Sequence, residues 1–126
     1  MREEEVDEIV TVQTAGGKPV RVVAEVISGV WAVHVSLDKA HQIGLGWTLT
    51  HVQTGRRIAA FPKRTDAEGA AMELTLQKWS GDLWLAESAT EFMHRSTQRD
   101  REIILEVVRR HGGYRGIQHL TTRGAA

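Results

Sequence analysis

The sequence predicts an α+β fold: a mainly antiparallel sheet of about five short strands within residues 9–61, then two or three helices within 65–80 and 89–110. Three observations carry this expectation. Residues 9–61 hold short runs rich in Val, Ile and Thr, several alternating apolar with polar. From Thr65 onward the apolar residues recur at helical spacing behind Ser/Thr-x-x-Glu starts. All the strand-like runs precede all the helical ones, the order of a sheet with its helices gathered on one face.

Taken in turn, Ile9–Thr14 is a short strand-forming run. Ala15-Gly16-Gly17-Lys18-Pro19 reads as a turn, because Gly tolerates positive φ and Pro fixes its own. Val20–Ile27 alternates through Val20, Val22, Ala24 and Val26, and Ser28-Gly29 breaks it. Trp31, Val33, Val35 and Leu37 face one way and Ala32, His34 and Ser36 the other, the pattern of a half-buried strand. Asp38–Gly46 reads as a loop. Trp47–Val52 and Arg57–Phe61 flank Gln53-Thr54-Gly55-Arg56 as a hairpin. Thr65-Asp66-Ala67-Glu68 has the form of a capping box, in which Thr65 accepts from a backbone N–H and Glu68 reaches back. Met72, Leu76 and Trp79 follow at helical spacing, with Ala67, Ala71 and Leu74 beside them, and Gly81 is the expected stop. Ser88-Ala89-Thr90-Glu91 repeats the pattern. Residues 94–102 then carry no apolar side chain, so the segment is either one long helix with a solvated middle or two helices bent near Ser96–Thr97. Gly112-Gly113 ends it, after Arg109, Arg110 and His111 at the negative end of the helix dipole.

The chain has 126 residues, which fits a single domain; residues 1–8 and 121–126 are expected to be flexible ends. The absence of Cys excludes disulfide scaffolds, zinc ribbons and thiol catalysis. The first residues lack the apolar run of a signal peptide, and no stretch approaches the ~18 apolar residues of a membrane helix, so a soluble, cytoplasmic protein is expected. Formal net charge is zero, which argues against a uniformly basic nucleic-acid coat. The zero is made of blocks: −4 over residues 1–10, +1 over 11–55, +4 over 56–64, −5 over 65–94 and +4 over 95–126. Folding can therefore either disperse the two basic blocks or gather them into one patch.

No catalytic constellation emerges. His34, Ser36 and Asp38 are two apart on one strand and point in parallel, whereas a triad needs side chains that converge. The six His show no short metal-binding spacing, although His34 and His51 on neighbouring strands are able to meet. The glycine clusters match no phosphate loop. Neither metal nor cofactor nor small-molecule ligand is predicted. Four Trp are many for this length, and Trp79, Leu83, Trp84 and Leu85, gathered around a turn, form the candidate protein-docking surface.

Residues 47–74 read strand, Gly-Arg turn, strand ending in Phe61, then a Thr-x-x-Glu helix start. This stretch, under a quarter of the chain, resembles the arm-type DNA-binding module of phage integrases, a three-stranded sheet backed by a helix. The strands before Trp47 depart from that module. The resemblance implies contacts to DNA from Arg56, Arg57, Lys63 and Arg64, with Thr48 or Thr50 toward the groove. Separately, Arg109, Arg110, Arg115 and Arg123, with His111, Tyr114 and His119, form a mixed basic and aromatic C-terminal segment suited to phosphate contact. Two functional expectations result. The first is a small non-enzymatic accessory or regulatory protein, phage- or plasmid-borne, that docks on another protein or on itself. The alternative is a DNA-binding protein using the Arg56–Arg57 hairpin and the basic C-terminal segment.

Overall fold

The computed structural model describes residues 6–13, 18–37, 43–79 and 83–114. Five strands, β1 (Val6–Gln13), β2 (Pro19–Ile27), β3 (Trp31–Leu37), β4 (Ile43–His51) and β5 (Arg56–Phe61), precede three helices, α1 (Arg64–Leu76), α2 (Ala89–Arg95) and α3 (Gln98–Arg110). A short 3-10 turn, Leu83–Leu85, lies between α1 and α2. The strands pair antiparallel in the order β1-β2-β3-β4-β5, so the α+β arrangement expected from the sequence is the one present. Among the described residues no helix is long and apolar enough to cross a membrane.

Alternation divides the sheet into two faces. The outer face carries Trp31, Val33, Leu49, Ala59 and Phe61 against Ala67, Ala70, Ala71 and Leu74 of α1, with Leu83, Phe92, Ile104, Val107 and Val108 closing the layer. The three alanines let α1 lie close to the sheet, where a longer side chain would hold it off. The inner face carries a second, smaller core of Val10, Val12, Ala24, Val26 and Ala32.

Pairing is uneven along the sheet. β1 and β2 match over eight rungs, from Val6 opposite Val26 to Gln13 opposite Pro19. β2 and β3 match over three: Glu25–Val33, Val26–Ala32 and Ile27–Trp31. The β1–β2 ribbon thus leaves the plane of β3–β4–β5, and bulges between Val35 and Leu37 and between Leu49 and Thr50 bend the latter. The curl brings β1 back to the β4–β5 turn, where the Gln13 N–H donates to the Gly55 carbonyl at 2.8 Å. Only glycine fits there, because Gly55 has φ +71° and a Cβ would lie 2.9 Å from the Thr11 carbonyl oxygen. At the other edge, Tyr114 pairs its backbone with Ala60 of β5.

Several boundaries differ from the sequence reading. β1 starts at Val6, inside the stretch expected to be flexible, because Val6, Asp7 and Glu8 find partners in Val26, Glu25 and Ala24. β4 starts at Ile43, inside the expected loop, where Ile43 pairs with Leu37. The capping box at Thr65 does not form. The helix begins two residues earlier than such a box would start it, at Arg64, with Lys63 at its N-cap and no side-chain cap, and Glu68 turns to Arg64 at 3.1 Å instead. The end of α1 at Leu76 is closed by the Trp79 indole, which donates to the Leu74 carbonyl at 2.8 Å; Thr14 and Gly81 lie outside the described residues. Ser88 does cap α2, accepting from the Glu91 N–H, while the Glu91 carboxylate takes the Glu87 N–H. Of the two possibilities for residues 89–110, the bend is the one present. A complete capping box starts α3, Thr97 accepting from the Asp100 N–H and Asp100 from the Thr97 N–H.

These caps predict a contrast. Thr97→Ala should lower unfolding free energy by about 1 kcal/mol, and Thr65→Ala by less than about 0.5 kcal/mol, in urea denaturation. Equal losses would contradict the assignment of caps.

Candidate functional site

Two polar centres lie on opposite faces of the sheet. On the outer face His51 is fully buried at the end of β4. Its Nε2 lies 3.0 Å from the Trp84 carbonyl, which only accepts, so Nε2 carries the proton and donates. Its Nδ1 then accepts from the Thr54 hydroxyl at 2.9 Å, and Thr54 accepts the Arg56 backbone N–H at 3.1 Å. Around this ring stand Trp31, Trp84 and Phe92, with centroids 6.1, 5.2 and 6.0 Å away. Trp84 also meets Trp31 and Trp79 edge-on at 4.5 and 5.0 Å. The Trp31 indole donates to Thr75 at 2.9 Å, which ties the sheet to α1. The Trp84 indole N–H is buried without a hydrogen-bond partner among the described residues.

Of the residues expected to form a docking surface, Leu83 is wholly buried, because it fills the helix-side core rather than facing outward. Trp79 and Trp84 are half-buried against that core, and Leu85 is exposed.

The basic residues do not share a side. Arg56 and Arg57 alternate along β5. Arg56 lies over the Phe92 ring, 5.2 Å from its centroid, on the outer face. Arg57 is the register partner of Thr50 and belongs to the inner face. Arg64 pairs with Glu25 at 2.9 Å and Glu68 at 3.1 Å, over Trp47 at 5.3 Å. The hydrogen bond to Glu25 raises the Arg64 pKa further. The same carboxyl, hydrogen-bonded to Glu68, holds Glu68 above the usual carboxylate range, with burial adding to the effect. Lys63 is exposed at the start of α1. Arg109 pairs with Glu106, and Arg110 with Glu73, so these cations stand on the α3 flank of α1 while Arg64 stands on its β2 flank. Arg115 lies outside the described residues.

The inner face holds the second centre. His34 Nδ1 donates to the Val35 carbonyl at 2.9 Å, and Nε2 accepts from the Thr50 hydroxyl at 3.0 Å. Ser36 and Thr48 share a hydrogen bond at 2.8 Å. Arg57 and Tyr114 stand beside them on the same face. His34 and His51 therefore do not meet. Among the described residues no three His, Cys, Asp or Glu side chains gather for a metal ion. Sequence reasoning missed Glu25, the buried carboxylate that Arg64 neutralises. The available signal was alternation along β2: Val22, Ala24 and Val26 face inward, which puts Glu25 beside Ile27 on the face that the helices cover.

Both histidines carry a consequence for stability. Burial pushes the pKa of His34 and of His51 below the usual 6.5, and the charge of Arg57 adds to the effect at His34. The folded state then binds fewer protons than the unfolded chain, so stability is full above about pH 6.5 and falls as pH drops through and below that value, by up to about 1.4 kcal/mol per pH unit for each ring. Urea midpoints that stay level from pH 7.5 to about 5 would contradict this. His51→Ala leaves the Trp84 carbonyl unpaired and opens a cavity. It should lower unfolding free energy by about 3 kcal/mol at neutral pH, read by the same denaturation.

Compared with known proteins, the chain matches no family model, no curated protein and no solved structure.

Proposed function

We propose that the protein is a non-enzymatic module that docks on another protein through the rim formed by Leu76, Trp79, Trp84 and Leu85. The observation that carries this reading is the exposure of apolar side chains at that end of the helix layer. Leu76 is 82% exposed and Leu85 62%, and in the chain between them stand Trp79 and Trp84, whose half-buried rings touch edge-on. Large apolar groups gathered at a surface lose unfavourable hydration when a partner covers them, and Trp anchors supply much contact area with little rotamer entropy to lose. The rings are held by the core and by the Trp79–Leu74 hydrogen bond, so the rim is ordered before a partner arrives. The rival reading, contact with DNA, draws no support from the placement of the cations, most of which are paired with carboxylates or lie on different sides of the sheet.

A Leu76→Glu/Leu85→Glu variant tests the proposal. Both side chains are exposed, so the fold should keep its stability to within about 1 kcal/mol. In a pull-down from the native host, partners retained by the unaltered protein should bind the variant at least about 30-fold more weakly. Undiminished retention by a folded variant would overturn the reading. Sedimentation of the purified protein separates a second copy from a different partner.

A further inference from the structure

The inner face of the sheet carries a cation, Arg57, that no carboxylate among the described residues neutralises. Register sets the arrangement. Val26, Ala32, Thr50 and Arg57 follow one another across β2, β3, β4 and β5, and His34, Thr48, Ala60 and Tyr114 form the next row. Side chains of neighbouring rungs on one face are within reach of each other. His34, Thr48 and Thr50 are buried and make a floor, and Arg57 and Tyr114 are half-buried and make its rim.

Among the described residues the Arg57 guanidinium makes no ion pair and no side-chain hydrogen bond. The carboxylates that do form ion pairs there are engaged elsewhere: Glu25 and Glu68 with Arg64, Glu91 with Arg95, Glu73 with Arg110 and His111, and Glu106 with Arg109 and Arg110. Glu8 shares the inner face, but it is exposed on β1 and does not pair with Arg57. Burial works against the charge of Arg57, and a guanidinium does not escape by losing its proton.

The groups around it are neutral, and some of them are able to donate. His34 has both ring nitrogens engaged, with Val35 and Thr50. Ser36 and Thr48 share one hydrogen bond, so one of their two hydroxyl protons is left to give. The Tyr114 hydroxyl has no hydrogen-bond partner among the described residues. One fixed cation beside neutral donors complements a single negative charge. The planar fork of Arg matches the two oxygens of a carboxylate.

We propose that this inner face binds a small carboxylate, its two oxygens on the Arg57 guanidinium with the Tyr114 hydroxyl beside them. The site is separate from the docking rim and does not depend on it.

The test is a titration of the full chain with butyrate, followed through backbone amide NMR shifts. The expected result is saturable movement of the Thr50, Arg57 and Tyr114 amides at millimolar butyrate, with the Leu76, Trp79, Trp84 and Leu85 amides unmoved. Arg57→Gln should weaken binding about 10- to 100-fold, the range for a hydrogen-bonded charge. If Arg57→Gln does not fold, Tyr114→Phe serves instead, and a several-fold loss is expected. Three results would overturn the proposal: no saturable shift up to about 50 mM, where a fragment of this size should bind; equal binding by the folded Arg57→Gln or Tyr114→Phe variant; or saturation by phosphate or butylammonium in preference to butyrate.

Discussion

His51 stands where three parts of the chain meet, and its hydrogen bonds hold them in register. One nitrogen holds the 3-10 turn through the Trp84 carbonyl, and the other holds the β4–β5 turn through Thr54. The Trp84 carbonyl requires a proton on Nε2, and burial favours the neutral ring, which leaves Nδ1 to accept from Thr54. Trp31, Trp84 and Phe92 surround the ring, and the Trp31 indole carries the linkage on to α1. The helix layer therefore rests on a polar joint enclosed by aromatic rings. Removing the ring would leave a carbonyl without a donor, which is more damaging than losing an equal area of apolar contact.

Charge is handled just as locally. The zero net charge becomes a set of short-range pairs: Arg64 between Glu25 and Glu68, Arg110 against Glu73, Arg95 against Glu91. Most are at the surface and contribute little to stability. Glu25 is the exception, since it is buried and its charge needs Arg64. Arg56 is accommodated by a ring instead of a carboxylate. Among the described residues Arg57 has neither.

Much of the fold was legible because it is set by local pattern. The alternation of Trp31 and Val33 against Ala32, His34 and Ser36 assigned two faces that the structure keeps, and Ser88 and Thr97 cap the helices their sequences announce. What could not be read depends on residues far apart in the chain. Thr65 and Glu68 have the form of a box, but Glu68 turns to Arg64 beside Glu25, which lies 39 positions from Arg64. Gly46 reads as a loop residue in the sequence; it lies within β4 at positive φ, where a Cβ would stand 2.8 Å from the Phe61 carbonyl oxygen of the neighbouring strand. At the candidate sites, the Trp-rich turn was visible as composition, but which of its members face outward was not. Leu83 and Leu85 differ only in the side of one short turn they occupy. Arg57 was visible as a basic residue, and its place on the inner face, with no carboxylate partner among the described residues, emerged only from register.

The three rungs that join β2 to β3 have a consequence for how the molecule opens. Native proteins open in cooperative units whose free energies differ, and a unit with few bonds to the rest opens first. The β1–β2 ribbon is zipped over eight rungs internally, yet its polar links to the remainder among the described residues are three rungs, the Gln13–Gly55 hydrogen bond and the Glu25–Arg64 pair. It is thus a hairpin with few ties, able to exchange its amide hydrogens as a block once the Glu25–Arg64 pair opens, while β3, β4, β5 and the helices stay closed. The separation between stable and labile parts follows the sheet's own seam, and the inner face lies along it.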